Sequence, residues 1–172
     1  QYLNADPNNL SLIRDTATLY HQSGQFAQAH ELLESSSARL GPEPGLYFIK
    51  ASVYLSQRAF PQAIALLSQL VDQGISNTSV LYNLAFALAS QGDIEQAHNV
   101  LQPQLISVLN EVPVSRLLAA RIAHYRGELD VADKFTQEYL EQFPNSRETA
   151  AAEGMLALIK LDTHDGSAAH LH

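Results

Sequence analysis

Cysteine and tryptophan are absent from these 172 residues, and methionine occurs once. Without cysteine there is no disulfide framework, no thiolate zinc site and no cysteine nucleophile. Basic side chains are scarce: 10 Lys and Arg stand against 18 Asp and Glu, for a formal charge of -8. No basic surface is left to neutralise phosphates, so nucleic acid is excluded as a partner class. Long apolar runs are missing too. The best candidate, residues 80–89, is interrupted by Asn83 and falls short of the roughly 18 residues a membrane span needs. A soluble segment with no direct membrane insertion is expected, in a compartment left open between cytoplasm and periplasm. The serines form no nucleophile elbow and the glycines form no phosphate-cradling loop. No catalytic residue and no cofactor is implied, and the expected class is not an enzyme.

What is present is an ordinary core-forming composition, 46% hydrophobic and 8% aromatic, so the chain can bury a core. Its charge is uneven. Residues 1–86 carry 6 acidic and 4 basic groups, and residues 87–172 carry 12 and 6. Long-range steering therefore favours a basic partner toward the C-terminal half, although a solvated acidic helix face gives the same count.

The chain repeats itself. Ala17, Ala51, Ala85 and Ala120 are spaced 34, 34 and 35 residues apart, and so are Ala29, Ala63, Ala97 and Ala132. Each alanine of the second series is followed four residues later by Leu33, Leu67, Leu101 or Thr136. Two independent series in one register define a repeat of two helices. Ile13, Thr16, Ala17 and Tyr20 fall at i, i+3, i+4 and i+7, as do Leu81, Leu84, Ala85 and Leu88, so one stripe of each first helix faces its neighbours. Gly24, Gly92 and Gly127 stand where the first helix stops, because glycine takes the left-handed conformation without steric cost. Phe26, Ile94 and Leu129 then open the second helix. Arg58 holds the glycine slot of the second repeat, which predicts different backbone angles at that turn. Pro103 lies within the expected second helix of the third repeat, residues 93–110. It should break or kink that helix, or set a bend between the two halves of the chain.

At these positions the chain resembles the tetratricopeptide repeat family, whose 34-residue unit reads W-x2-L-G-x2-Y, then A-x3-F, then P. Tyr20 and Tyr54 meet the Tyr slot, the first alanine series meets the following Ala, and Pro144 meets the terminal Pro. The Trp slot holds Ile13, Tyr47, Leu81 and Arg116, and the Gly slot holds alanine throughout. Arg116 and Thr136 make the fourth repeat the least regular. The resemblance implies an all-α, right-handed α-solenoid of antiparallel helix pairs. Repeats are expected over residues 9–42, 43–77, 78–112 and 113–146. Residues 1–7 end an upstream repeat and residues 147–172 begin a fifth, which is expected to stop just inside its second helix, at Ala169. About three extra residues are expected in the loop at residues 145–149. The pattern predicts a piece of a longer array, with residues 1–5 as the last turn of a preceding helix.

Histidine is the residue left to explain. His164, His170 and His172 with Asp165 gather near the C-terminus, but an i, i+2 spacing is not one helical face. No metal site is expected there. His30 and His98 share a repeat position beside the packing alanines, and His21 and His124 share another near the end of the first helix.

That second position points to binding. In this family the stripe next to the packing stripe lines the inside of the superhelix, which is its peptide-binding groove. The resemblance therefore offers Arg14, Thr18 and His21; Phe48, Ser52 and Leu55; Tyr82, Asn83 and Phe86; and Leu117, Arg121, His124 and Tyr125. Phe48, Tyr82 and Phe86 would form an aromatic patch, the kind of surface that dominates binding energy, and the Asn83 amide offers both a donor and an acceptor. Family members that hold a chaperone's C-terminal carboxylate do so with several Lys, Arg and Asn side chains on adjacent repeats. Arg14 and Arg121 are three repeats apart, roughly 30 Å at the usual helix spacing, and cannot grip one carboxylate.

The expected function is a non-enzymatic protein-protein interaction scaffold that takes a peptide or helix of a partner protein in the groove. Three alternatives remain. The chain is the repeat region of a larger enzyme or of a secretion or export protein, recruiting partners for another domain; or it is a regulatory module that closes on a short peptide; or it self-assembles as a homo-oligomer, with the apolar groove covered by self-contact.

Overall fold

The computed structural model describes residues 6–169, with side chains described as far as residue 166. Every regular element among them is helical. In the first of two compact units, Gln1–Gln91, the elements are α1 (Leu10–Gln22), α2 (Phe26–Leu40), α3 (Pro44–Ser56), α4 (Phe60–Asp72) and α5 (Thr78–Ser90). The second unit, Gly92–His172, holds α6 (Ile94–Leu101), a 3-10 turn (Gln102–Gln104), α7 (Leu105–Glu111), α8 (Ser115–Tyr125), α9 (Leu129–Gln142) and α10 (Thr149–Ala169). Successive helices pack as pairs, α1 on α2, α3 on α4 and α8 on α9, and each first helix also touches the next first helix of its unit. This is the all-α architecture of a solenoid.

The alanines explain the packing. Ala17, Ala29, Ala51, Ala63, Ala85, Ala97, Ala120 and Ala132 are all fully buried at 0% exposure. A methyl group is the largest side chain that fits where helix axes approach at the lower end of the usual 8–10 Å range. Leu33, Leu67 and Leu101, one turn further on, are buried as well. Thr136 takes the same place in the fourth repeat, and its hydroxyl donates to the Ala132 carbonyl at 2.7 Å, so the polar atom is satisfied inside the core. Arg116 is likewise accommodated: its guanidinium donates to the Leu109 carbonyl and its Nε lies 3.5 Å from Glu138.

The helix ends are set by caps. Asn9 and Asn77 accept from the backbone N–H of Leu12 at 3.1 Å and of Val80 at 3.0 Å, opening α1 and α5. At the first turn, the N–H of Gly24 donates to the His21 carbonyl and that of Gln25 to Tyr20. These two bonds close the helix C-terminus, with the glycine at φ +74°. The same pair recurs from Arg58 to Leu55 and from Ala59 to Tyr54.

Arg58 corrects the expectation of different angles at its turn, since its φ is +58°, the left-handed value of the glycines. The two closing hydrogen bonds require that geometry, and the chain accepts a strained arginine rather than reshape the turn.

Pro103 lies in the 3-10 turn that separates α6 from α7, so the second helix of the third repeat is broken where the backbone donor is lost. The longer loop before α10 is held by the Tyr139 hydroxyl, 2.9 Å from Ser146 Oγ and 3.2 Å from Glu148 Oε2. Thr149 Oγ1 donates to the Phe143 carbonyl at 3.2 Å. One difference concerns the end of the chain. The spacing predicts a turn before Ala169, yet α10 runs unbroken from Thr149 to Ala169. Gly166 is followed by Ser167 and Ala168 rather than by a large apolar residue two positions on, so no second buried stripe draws the chain back. Residues 1–5, His170 and His172 lie outside the described residues.

Replacing Arg58 by glycine should stabilise the protein. A left-handed L-residue costs roughly 1–2 kcal/mol, and glycine's extra unfolded-state freedom returns roughly 0.5–1 kcal/mol of that. The expected net gain is about 0.5–1 kcal/mol, read as a higher urea midpoint with an unchanged slope.

Candidate functional site

The first helices of the first unit, α1, α3 and α5, lie side by side. Between them is an open concave pocket of about 370 Å³ lined by His21, Ser52, Leu55, Ser56, Tyr82, Asn83 and Phe86. Each helix contributes the stripe adjoining its buried alanine: Ser52 follows Ala51, Phe86 follows Ala85, and His21 stands one turn beyond Ala17. Six of the sequence candidates, His21, Ser52, Leu55, Tyr82, Asn83 and Phe86, are thus brought together.

Arg14 and Phe48 are not among the pocket's lining residues. Arg14 is exposed, and its side chain lies over Gly45, where an added Cβ would come within 3.1 Å of the arginine Cδ. Phe48 is half-buried, and its carbonyl accepts the Ser52 hydroxyl at 3.0 Å. The rings that meet Phe86 are Tyr82, at 6.2 Å between centroids, and Phe60 of α4, at 6.4 Å. Phe60 therefore takes the place in the aromatic cluster that Phe48 was expected to fill. Leu117, Arg121 and Tyr125 belong to the second unit, on one stripe of α8 at i, i+4 and i+8. Leu117 and Arg121 are half-buried, while Tyr125 is 67% exposed.

Ser56 was missed in the sequence, although it lies one helical turn beyond Ser52. Its hydroxyl is 2.6 Å from His21 Nε2, tying α1 to α3. Burial lowers the pKa of His21, since a low-dielectric setting disfavours the charged imidazolium. The equivalent histidine of the second unit, His124, reaches Asp162 Oδ2 at 2.6 Å instead, tying α8 to α10. His30 is held by Gln57 at 2.8 Å and by the Tyr54 ring at 4.5 Å. Asn83 lines the pocket, and its amide makes no hydrogen bond among the described residues.

The pocket's chemistry is that of recognition. Its walls are apolar, its polar groups are neutral, and no Asp, Glu, Lys or Arg lines it. Ser56 with His21 pairs a hydroxyl with a base, but Ser56 ends α3, where the partial negative charge of the helix C-terminus opposes a developing oxyanion. Among the described residues no group of three or more His, Asp or Glu is placed to hold a metal ion, and no helix is long and apolar enough to cross a membrane.

Two family models, both described as Tetratricopeptide repeat, match residues 54–122 and 14–35. Between them they span more than half of the chain. The chain belongs to the tetratricopeptide repeat family. Similar folds occur in a thermophilic tetratricopeptide repeat protein of Thermus thermophilus, with TM-score 0.71, 18% identity, and 90% of this chain and 85% of that one covered. A tetratricopeptide repeat protein of Parabacteroides merdae gives 0.69, 17%, 95% and 67%, and MamA (MSR-1) gives 0.62, 17%, 86% and 87%. At these identities the likeness shows the fold alone. No curated protein matches the sequence at a significant level. As a tetratricopeptide repeat protein, the chain is in general terms a protein-interaction scaffold.

Acid should weaken the first unit through His21. Its folded pKa lies below the unfolded value of about 6.5, so between the two the unfolded chain binds the extra proton. Stability is therefore full above pH 6.5 and falls as pH drops toward the lowered folded value. Urea midpoints measured from pH 7.5 to 5 should fall less steeply in His21→Asn than in the parent.

Proposed function

We propose that the chain is a non-enzymatic scaffold that holds a peptide segment of a partner protein in the pocket between α1, α3 and α5. The observation that carries this reading is that Asn83, whose amide makes no hydrogen bond among the described residues, lines a pocket together with the apolar side chains of Leu55 and Phe86 and the Tyr82 ring. An apolar pocket with a few convergent polar groups is the usual form of a binding site, and an amide can pair with the N–H and C=O of a peptide backbone. The pocket's neutrality selects an uncharged segment. Within this reading Ser52 and His21 border the ligand, and Arg14, Phe48, Leu117, Arg121 and Tyr125 are further contacts of a longer segment.

The test is selection of binders from a displayed random peptide library on residues 1–172, followed by titration of two variants. Asn83→Ala and Leu55→Asp should each weaken the selected peptides about tenfold or more, the loss of roughly 1.4 kcal/mol expected of an interface anchor. Asn83→Ala should leave the urea midpoint unchanged, because its amide makes no hydrogen bond among the described residues. Peptides that bind both variants as tightly as the parent would refute the assignment.

A second reading, self-assembly, is favoured by α10. Leu158 and Leu161 are 50% and 61% exposed there, and a stack of repeats needs a polar cap to end it. Light scattering on the parent and on Leu161→Asp tests this. A dimer that the substitution dissociates supports assembly, and a monomer in both counts against it.

A further inference from the structure

The second unit has a pocket that peptide capture between the first helices does not use. It has a volume of about 220 Å³ and opens where the Pro103 break separates α6 from α7, so that these segments, α8 and α9 all border it. Leu101, Ala119, Ile122 and Ala123 line it and are each no more than 6% exposed, and the small alanines leave the room that larger residues would fill. On α8 these residues face roughly half a turn away from Leu117, Arg121 and Tyr125. At its open edge Val131 is 38% exposed and Glu128 is 39% exposed.

That edge is negatively charged. Arg126 is shared between Glu128, at 2.6 Å, and Glu95, so one guanidinium meets two carboxylates and a net negative charge remains beside the opening. The unit as a whole carries twelve acidic and six basic side chains. A second copy would bring carboxylates against carboxylates, whereas a basic partner gains from both. The interior in turn sets what enters. An apolar cavity of about 150 Å³ takes up benzene, so one of this size holds a single phenyl ring or branched aliphatic side chain.

We propose that this pocket is a second docking site, which anchors one aromatic or branched aliphatic side chain of a partner protein segment flanked by basic residues. The anchor loses its apolar surface to water-free contacts with Leu101 and Ile122, and the flanking cations sit over the Glu95, Arg126 and Glu128 cluster. Recognition here is salt-dependent, because the charges lie at the solvent boundary.

The test titrates three capped tripeptides, acetyl-Lys-Phe-Lys-amide, acetyl-Glu-Phe-Glu-amide and acetyl-Lys-Ala-Lys-amide, into residues 1–172 labelled at Leu, Ile and Val methyl groups. The Lys-Phe-Lys peptide should give saturable shifts at Leu101, Ile122 and Val131. These should be several-fold weaker for Glu-Phe-Glu and absent for Lys-Ala-Lys. Val131→Trp, which fills the opening, should abolish them, and Ala119→Leu provides an independent filling variant if the first lowers the melting temperature. No saturable shift, an equal response to Lys-Ala-Lys, an equal response to Glu-Phe-Glu, or binding that survives in a folded filling variant overturns the proposal. Shifts that follow protein concentration without any peptide also overturn it, in favour of self-contact.

Discussion

The close approach of helices over alanine is the constraint on which the rest of the structure depends. Each repeat places one alanine on its first helix and one on its second, and all eight are fully buried. A larger side chain at any of them would wedge the pair apart, and overpacking a filled contact of this kind typically costs about 1–3 kcal/mol. Because the alanines fix which face of each first helix turns inward, they also fix which face is left over. Ser52 and Phe86 immediately follow buried alanines, and the pocket between α1, α3 and α5 is the surface that this packing leaves uncovered.

The turns obey a second constraint, closure of the helix end by two backbone hydrogen bonds. At Gly24, Arg58 and Gly127 the same two donors meet the same two acceptors, whatever residue occupies the left-handed position. Arg58 shows which effect wins. The strain of a non-glycine residue there is smaller than the loss of two hydrogen bonds together with the burial of the helix that follows. Pro103 shows the converse, since a residue without an N–H cannot join the helix ladder and the helix gives way.

The repeat was legible in the sequence because it rests on spacing, and spacing survives substitution of most other positions. The alanine register, the turn glycines and the break at Pro103 all follow from residue type at a fixed interval. The site was legible in part. Knowing the helical stripe is enough to bring Ser52, Tyr82, Asn83 and Phe86 into one neighbourhood. It does not say that Arg14 reaches over Gly45, or that Phe86 meets Phe60 instead of Phe48. Those outcomes depend on side-chain rotamers and on how far each helix turns about its axis, which a pattern of apolar residues does not encode. Ser56 could have been found on the same stripe, but its pairing with His21 joins two repeats and is visible only once the helices are side by side. The unbroken α10 was hidden for a different reason: Gly166 stands in a plausible turn position, and what is missing is a large apolar residue two positions after it.

The two pockets differ in how they discriminate. On the proposed reading, the one in the first unit, bordered by neutral groups, selects by shape and by pairing the Asn83 amide, and a ligand that leaves that amide dry and unpaired loses affinity. Such discrimination changes little with ionic strength. The one in the second unit has an apolar interior and a charged edge, and as the docking site proposed for it this separates two tasks: the cavity selects the side chain, and the Glu95, Arg126 and Glu128 cluster favours the approach of a basic partner. A scaffold whose two sites read different properties can distinguish a partner that satisfies both from one that satisfies either alone, because specificity is a difference of affinities and unmatched charge or unpaired polar surface at one site counts against the whole encounter.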